Sequence, residues 1–551
     1  MERSDWLLTP GERGNPATRL DHRRPDGNAW SVGNEARPVV HGAAYFAELL
    51  ERIDAQRAGD LLLFTDWRGD PGERLAPHDR PRGARSDEDR RGTEIGTVLG
   101  RAAERGVIVK GLVWRSHLDR LQFSERENRH LGEEIEAAGG ECLLDMRVRP
   151  GGSHHQKMLV LRHPGRPAHD IAYIGGIDLC HNRNDDAAHG GDPQSIPMAK
   201  AYGPHPPWHD LQLALRGPVV GDVEAVFRER WEDPAPLSRS PLTRLRELWH
   251  HEDTHADSLP PQLPDPAPCG PHTVQVLRTY PNRLLRGYAF APDGERSIAR
   301  GYLKALRRVR SLIYLEDQYL WSPRVIDSFA RALRDNPRLR LIAVIPSVPE
   351  QDGRLSLPMN LIGRITALNA LRAAGGPRVA VYGLENHAGT PVYVHAKVCV
   401  LDDVWASIGS DNINLRSWTH DSELSCVVLD DTEDGRPPRD PGGLGDGARR
   451  FARELRLELS REHLDLDPAD SPTADDALCD AETAFEAFAS SAAALDDWHA
   501  GGRRGPRPPG RLRRYRPPDL SLPMRVLATP LHHALVDPDG RPFRLRRRNA
   551  F

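Results

Sequence analysis

Apolar positions recur along the chain in two alternating rhythms, one with helical spacing and one of short strand-sized runs. The first predicts a helix over residues 43–55, followed by a strand at 61–65. A helix over 93–105, a strand over 107–114, a polar helix over 125–138 and a strand over 142–147 continue the series. Next comes Ser153-His154-His155-Gln156-Lys157-Met158-Leu159-Val160-Leu161, then a turn and a strand over 171–177. The second half runs through the same parts: helix 297–308, strand 312–315, helix 324–334, strand 339–345, helix 357–373, strand 379–382. Then follow Tyr393-Val394-His395-Ala396-Lys397-Val398-Cys399-Val400-Leu401 and a strand at 406–408. The expected fold class is α/β, built from two copies of one unit.

Composition divides the chain further. Residues 236–272, rich in Pro, Asp and His, read as a linker between an N-terminal half, 1–235, and a C-terminal half, 273–500. A loose stretch at 430–447 precedes a helix over 448–462, and a Pro/Arg segment at 501–518 opens a basic tail, 501–551. No apolar run in the 551 residues approaches the roughly 18 needed to cross a bilayer. The N-terminus has no apolar signal-like core, so a cytoplasmic location, peripheral at most to a membrane, is the expectation. Six cysteines without a CxxC pair give neither a disulfide framework nor a zinc motif. His250-His251-Glu252 with His255 look metal-like but lie in the linker without a closing ligand.

Net charge is −4, yet the tail carries 13 Arg against 3 Asp, which leaves −14 on the remainder. The tail could touch anionic lipid headgroups or nucleic acid, or it could lie along the acidic body as a surface segment. An acidic body argues against a phosphate-tracking groove, so nucleic acid is a disfavoured partner. Only five of the 75 basic residues are lysines, and two of them, Lys157 and Lys397, follow a histidine by two positions. In a strand, positions i and i+2 share a face, so His155/Lys157 and His395/Lys397 project as pairs. After each pair comes a Gly-rich turn, Gly175-Gly176-Ile177-Asp178 or Gly409-Ser410-Asp411-Asn412, suited to close approach by an anion. If the halves face each other, one imidazole can attack phosphorus while the other protonates the departing oxygen. The lysines would neutralise the phosphoryl oxygens. The two imidazoles must then hold opposite protonation states, set by different carboxylate surroundings.

These segments resemble the phospholipase D superfamily, whose signature is two copies of His-x-Lys-x(4)-Asp. His395, Lys397 and Asp402 complete the second copy, and Ile408-Gly409-Ser410-Asp411-Asn412 with Asp421-Ser422-Glu423 extend the likeness. Ile313 to Tyr319, Gly175 to Cys180 and Pro207-Trp208-His209-Asp210 are similar to the eukaryotic-type lipases. In the first copy Arg162 stands where the signature has Asp, with Asp170 eight residues on; the expectation is an exposed Arg162 on a remodelled hairpin, with Asp170 or a neighbour restoring the missing contact. The resemblance implies two α/β sandwiches (mixed sheets flanked by helices) about a pseudo-twofold axis, with one site between them and no cofactor. It implies His155 as nucleophile, His395 as general acid and then base, and Lys157, Lys397 and Asn412 on phosphoryl oxygens. Asp178, Gly176 and Ser410 line the substrate side, and Asp402 supports the site. Asp210 and Glu423 orient the histidines, with Asp210 serving His155. The implied activity is hydrolysis or transfer of the phosphatidyl group of a glycerophospholipid at a membrane surface, through a phosphohistidine, to water or an alcohol. A cardiolipin-synthase-like phosphatidyltransferase, a phosphodiesterase nuclease and a non-catalytic lipid- or phosphate-binding homologue are the alternatives. Tyr319 and Trp321 read as core aromatics or as a wall of the site, residues 195–207 as a surface or interfacial loop, and Asp185-Asp186 as a solvated loop or cation site.

Overall fold

A computed structural model describes the chain except residues 77–91, 117–124, 239–244, 246–248, 250–253, 284–286, 352, 354–355 and 468–473. The His250-His251-Glu252 cluster lies outside the described residues. The first half contains strands β1 (Ser31–Val40), β2 (Leu61–Asp66), β3 (Ile108–Trp114), β4 (Glu141–Asp145), β5 (Met158–Arg162), β6 (Ile171–Gly175), β7 (Trp208–His209) and β8 (Leu211–Arg216). The second contains β9 (His272–Tyr280), β10 (Glu295–Arg296), β11 (Leu312–Glu316), β12 (Arg340–Val344), β13 (Val379–Glu385), β14 (Pro391–Val394), β15 (Val398–Leu401), β16 (Trp405–Gly409) and β17 (Glu423–Asp430), with β18 (Leu512–Arg514) from the tail.

Strand order makes the duplication explicit. The first sheet runs β4-β3-β2-β5-β6-β8-β1 and the second β13-β12-β11-β15-β16-β17-β9. In each, the three strands farthest out are parallel and the others join antiparallel. Strand β1 joins the two: Glu35–Val40 pair with β8, while Ser31 and Asn34, across a bulge, pair with β9.

Two-residue periodicity sorts the strand side chains between layers. Leu62 and Phe64 of β2 pack under the helices Gly42–Asp54, Ile95–Glu104 and Glu125–Ala137, and Leu63 points the other way. Likewise Ile313 and Leu315 of β11 face Ser297–Arg308, Pro323–Asp335 and Ser356–Gly375, whereas Leu312 and Tyr314 turn inward. The inward faces of both sheets share one core with the helices Val219–Trp231, Arg450–Leu464 and Ala481–Ala500. Burying so much apolar surface between the halves fixes their relative position.

Several local outcomes differ from the sequence expectation. Residues ahead of β1 pack on the second half, with Trp6 donating to Asp446 (3.1 Å) and Arg13 reaching Glu295 (3.1 Å). Arg162 is fully buried rather than exposed. Its Nε lies 2.9 Å from Asp170, and its terminal nitrogens donate to Glu224 and the Pro264 carbonyl, both at 2.6 Å. A buried guanidinium needs such a carboxylate cage, and the linker supplies the last acceptor. Some of the tail arginines pair with the body's carboxylates: Arg511 with Asp465 (2.9 Å) and Arg513 with Glu385 (2.8 Å) and Asp496 (2.7 Å). Among the described residues no helix is long and apolar enough to cross a membrane.

Candidate active site

His155 and Lys157 lie just before β5, and His395 and Lys397 between β14 and β15, so the histidine N–H groups are free of their own ladders. Both bond across the molecule. His155 N donates to the Ser422 carbonyl (2.9 Å) and His395 N to that of His209 (2.8 Å). The next residues, Glu423 and Asp210, supply the partners of the two rings. His155 Nδ1 lies 2.8 Å from Glu423 Oε2, and His395 Nδ1 lies 2.6 Å from Asp210 Oδ2. The expected pairing, Asp210 with His155, is therefore reversed: each half provides the carboxylate for the other half's histidine. This reciprocity is what an isologous interface produces, here within one chain. With Nδ1 engaged, each ring presents Nε2 as its free nitrogen.

Both rings line one cavity of ≈ 410 Å³, together with Arg183, Asn412, Glu423 and Glu350. Trp67, Trp114, Trp208, Tyr319 and Trp321 form much of its wall, with Leu535 and Val536 of the tail completing it. Tyr319 and Trp321, stacked at 3.8 Å, are thus part of the site. Of the four residues expected on the substrate side, Asn412 lines the cavity and the other three hold its machinery. Ser410 Oγ donates to Glu423 (2.6 Å). A Cβ on Gly176 would stand 2.1 Å from an Asp210 oxygen, so glycine there lets the carboxylate reach His395. Asp178 lies 3.3 Å from Lys157 Nζ and 3.4 Å from Arg183, fixing both cations. Asp402 is likewise remote from the cavity lining. Its carboxylate takes the N–H groups of Arg310, Ser311 and Leu312 at 2.7, 2.8 and 2.9 Å and so anchors the start of β11.

Electrostatics disfavours separated charge in both pairs. Burial, aided by Lys157 and Lys397, pushes the His155 imidazole well below its ordinary range. Burial with Lys397 and Arg183 does the same to His395. Burial raises Glu423 well above the usual carboxylate range, Asp421 adding to the effect, and it raises Asp210 against the pull of Lys397 and Arg183. Burial, opposed by Asp210 and reinforced by Lys157, brings Lys397 down to about 7. Asp178 stays below its ordinary value because Lys157 and Arg183 outweigh its burial. Two neutral imidazoles among cations leave a site whose charge a bound anion would balance, and that anion would favour protonating one ring.

The segment Glu316-Asp317-Gln318 ties these parts together. Glu316 accepts from His209 (2.7 Å), Asp317 accepts from the N–H of Ile413 (2.8 Å), and Gln318 accepts from Lys397 (3.2 Å). Sequence reasoning noted the wording of this segment but not these tasks, and it missed Arg183, whose guanidinium stacks 4.0 Å over Trp208. The only signal was position, a few residues beyond the Gly-rich turn. Asp185 is buried rather than solvated, accepting from the Trp208 N–H at 2.7 Å. The 195–207 loop turns Tyr202 inward against Trp208 and Tyr393.

A family model described as Phospholipase D matches residues 84–325. Phospholipase D alpha 1 of Oryza sativa subsp. japonica is 25% identical over 448 residues, covering 60% of this chain and 54% of its own length. Phospholipase D2 of Bos taurus is 26% identical over 546 residues, covering 79% and 54%. Phospholipase D1 of Schizosaccharomyces pombe is 27% identical over 399 residues, covering 57% and 27%. This chain therefore spans about half or less of the length of these curated relatives. Among solved structures, phosphatidylserine synthase of Haemophilus influenzae Rd KW20 aligns with a TM-score of 0.47 at 13% identity, over 73% of this chain and 84% of that one. The fold and site define a two-histidine protein of duplicated α/β build. Over residues 84–325 the chain is similar to the phospholipase D family, and its curated relatives include eukaryotic phospholipases D.

Proposed function

We propose that the protein transfers the phosphatidyl group of a glycerophospholipid to water or an alcohol. The observation that carries this reading is the convergence of His155 and His395 on one cavity, each held by the opposite half's carboxylate. His155 Nε2 attacks phosphorus and forms a P–N bond. The P–O bond to the headgroup breaks as His395 gives its proton to the leaving oxygen. His395 then takes a proton from water or alcohol, whose oxygen displaces His155. Glu423 and Asp210 hold the Nδ1 protons throughout, stabilising whichever ring is cationic. Lys157, Lys397, Arg183 and Asn412 counter the charge that builds on the phosphoryl oxygens.

A lipid is favoured over a nucleic acid by what surrounds the site. The cavity wall is rich in Trp and Tyr, and Leu535 at its edge is exposed. Leu522, Met524, Val526, Leu527 and Leu531 on the neighbouring tail helix, Leu522–Leu531, are exposed as well. Such an apolar face beside a cavity suits contact with a membrane. The names of the curated relatives agree with this substrate class. The test is incubation with phosphatidylcholine vesicles and ethanol. Free choline and phosphatidylethanol are expected from the wild type and neither from His155→Ala. Cleavage of plasmid DNA with no lipid turnover would select a nuclease instead.

A further inference from the structure

Behind His395, outside the catalytic cavity, four buried histidines and the buried Glu316 gather around the half-buried Glu462. His41 follows β1, His189 is in a loop, His209 ends β7, and Glu462 and His463 close the helix Arg450–Leu464. Glu462 Oε2 lies 2.7 Å from His41 Nε2, and Oε1 lies 3.0 Å from His189 Nε2 and 3.2 Å from His209 Nδ1. His209 Nε2 and His463 Nε2 each lie 2.7 Å from Glu316. We propose that His41, His189, His209 and Glu462 bind one zinc-type divalent ion that staples the two halves and positions Asp210.

His209 stands between two carboxylates. Its Nε2 lies 2.7 Å from Glu316, and its buried Nδ1 faces Glu462 Oε1 at 3.2 Å outside hydrogen-bond geometry. Both nitrogens therefore meet negative charge, which a divalent ion at Nδ1 would balance. The rings are also spaced as ligands. Zinc–nitrogen bonds of about 2.0–2.1 Å, with each ring centre about 1.1 Å beyond its nitrogen, put ring centres about 5.2 Å apart in a tetrahedron and about 4.5 Å apart at right angles. The observed separations are 5.1 Å (His41 to His189), 5.3 Å (His41 to His209) and 5.7 Å (His189 to His209), all edge to face. A three-imidazole, one-carboxylate set suits zinc.

An outer shell supports the same ligands. Glu316 orients His209, and the Trp208 carbonyl lies 3.1 Å from His189 Nδ1, the usual arrangement behind metal-bound imidazoles. His41 (φ 70°) and His189 (φ 54°) hold left-handed backbone that residues other than glycine seldom adopt. Because His395 N bonds the His209 carbonyl and Asp210 is the next residue, the ion would fix the turn that presents the carboxylate to His395. No chemical step uses it, and the inference stands whether or not the substrate is a lipid.

The test is elemental analysis of the full chain purified without a metal-affinity tag. About one zinc per chain is expected, and cobalt(II) exchanged into the site should give the strong visible absorption of tetrahedral coordination. Glu462→Gln and His189→Ala should each lose most of the bound zinc and that absorption. Should either variant fail to fold, chelator-stripped wild type titrated with zinc alone should recover one equivalent and regain thermal stability. A chain that contains no zinc and takes up neither zinc nor cobalt after dialysis would overturn the proposal, as would variants that keep full metal content.

Discussion

The crossed carboxylates make Asp210→Asn and Glu423→Gln separable. Asp210 meets His395 through a 2.6 Å contact, and Asn keeps the shape while removing the charge. Loss of a charge-assisted hydrogen bond costs about 1.5–3 kcal/mol, which at 1.36 kcal/mol per decade slows the proton-dependent step about 10- to 150-fold. If His395 is the acid of the first step, that loss depends on the leaving group. Headgroup alkoxide needs a proton, whereas the phenolate of a p-nitrophenyl ester departs without one. In rapid-mixing assays Asp210→Asn should slow phosphatidylcholine cleavage by that factor and leave the p-nitrophenol burst rate within about twofold of wild type. Glu423→Gln, acting through the attacking ring, should slow both bursts. An Asp210→Asn burst equally slow with both leaving groups would place Asp210 behind the nucleophile and refute the assignment of roles.

Other expectations are more direct. Lys397 loses its proton near pH 7, so its positive charge is present below that pH and absent above it. Accordingly kcat/KM for an anionic diester should fall as pH rises through about 7, with the limb in kcat displaced upward because bound phosphate favours the charged amine; a flat profile from pH 6 to 9 would contradict this. Restoring the signature with Arg162→Asp would set a third carboxylate between Asp170 and Glu224, and thermal or urea unfolding should show a loss of about 3–5 kcal/mol instead of a gain. Val526 and Leu527 are 69% and 65% exposed, so the double change to Asp should weaken co-sedimentation with vesicles and leave the melting temperature and the turnover of a monomeric short-chain diester unchanged.

Much of the architecture is legible because it is carried by local patterns. The helix over 297–308 and the strand starting at 61 are readable from spacing alone, and the repeat of element order announces two equal sheets. His155/Lys157 and His395/Lys397 stand out because lysine is scarce and the spacing recurs. The crossing of Asp210 and Glu423 is not legible, since it depends on which sheet edges meet. Nor is the burial of Arg162, whose partners come from β6's approach, a helix and the linker. The zinc-type ligands lie between residues 41 and 462 with no short motif, so only folding assembles them. Arg183 and Gln318 become visible for the same reason.

Crystals of the protein grown with orthovanadate, which takes up the five-coordinate geometry of phosphoryl transfer, offer the decisive view. Vanadium should be bonded to Nε2 of His155, with Nε2 of His395 on the opposite apical oxygen and Lys157, Lys397, Arg183 and Asn412 around the equatorial ones. Vanadate held elsewhere, or touching one imidazole while the other points away, would contradict a single site shared by the two halves.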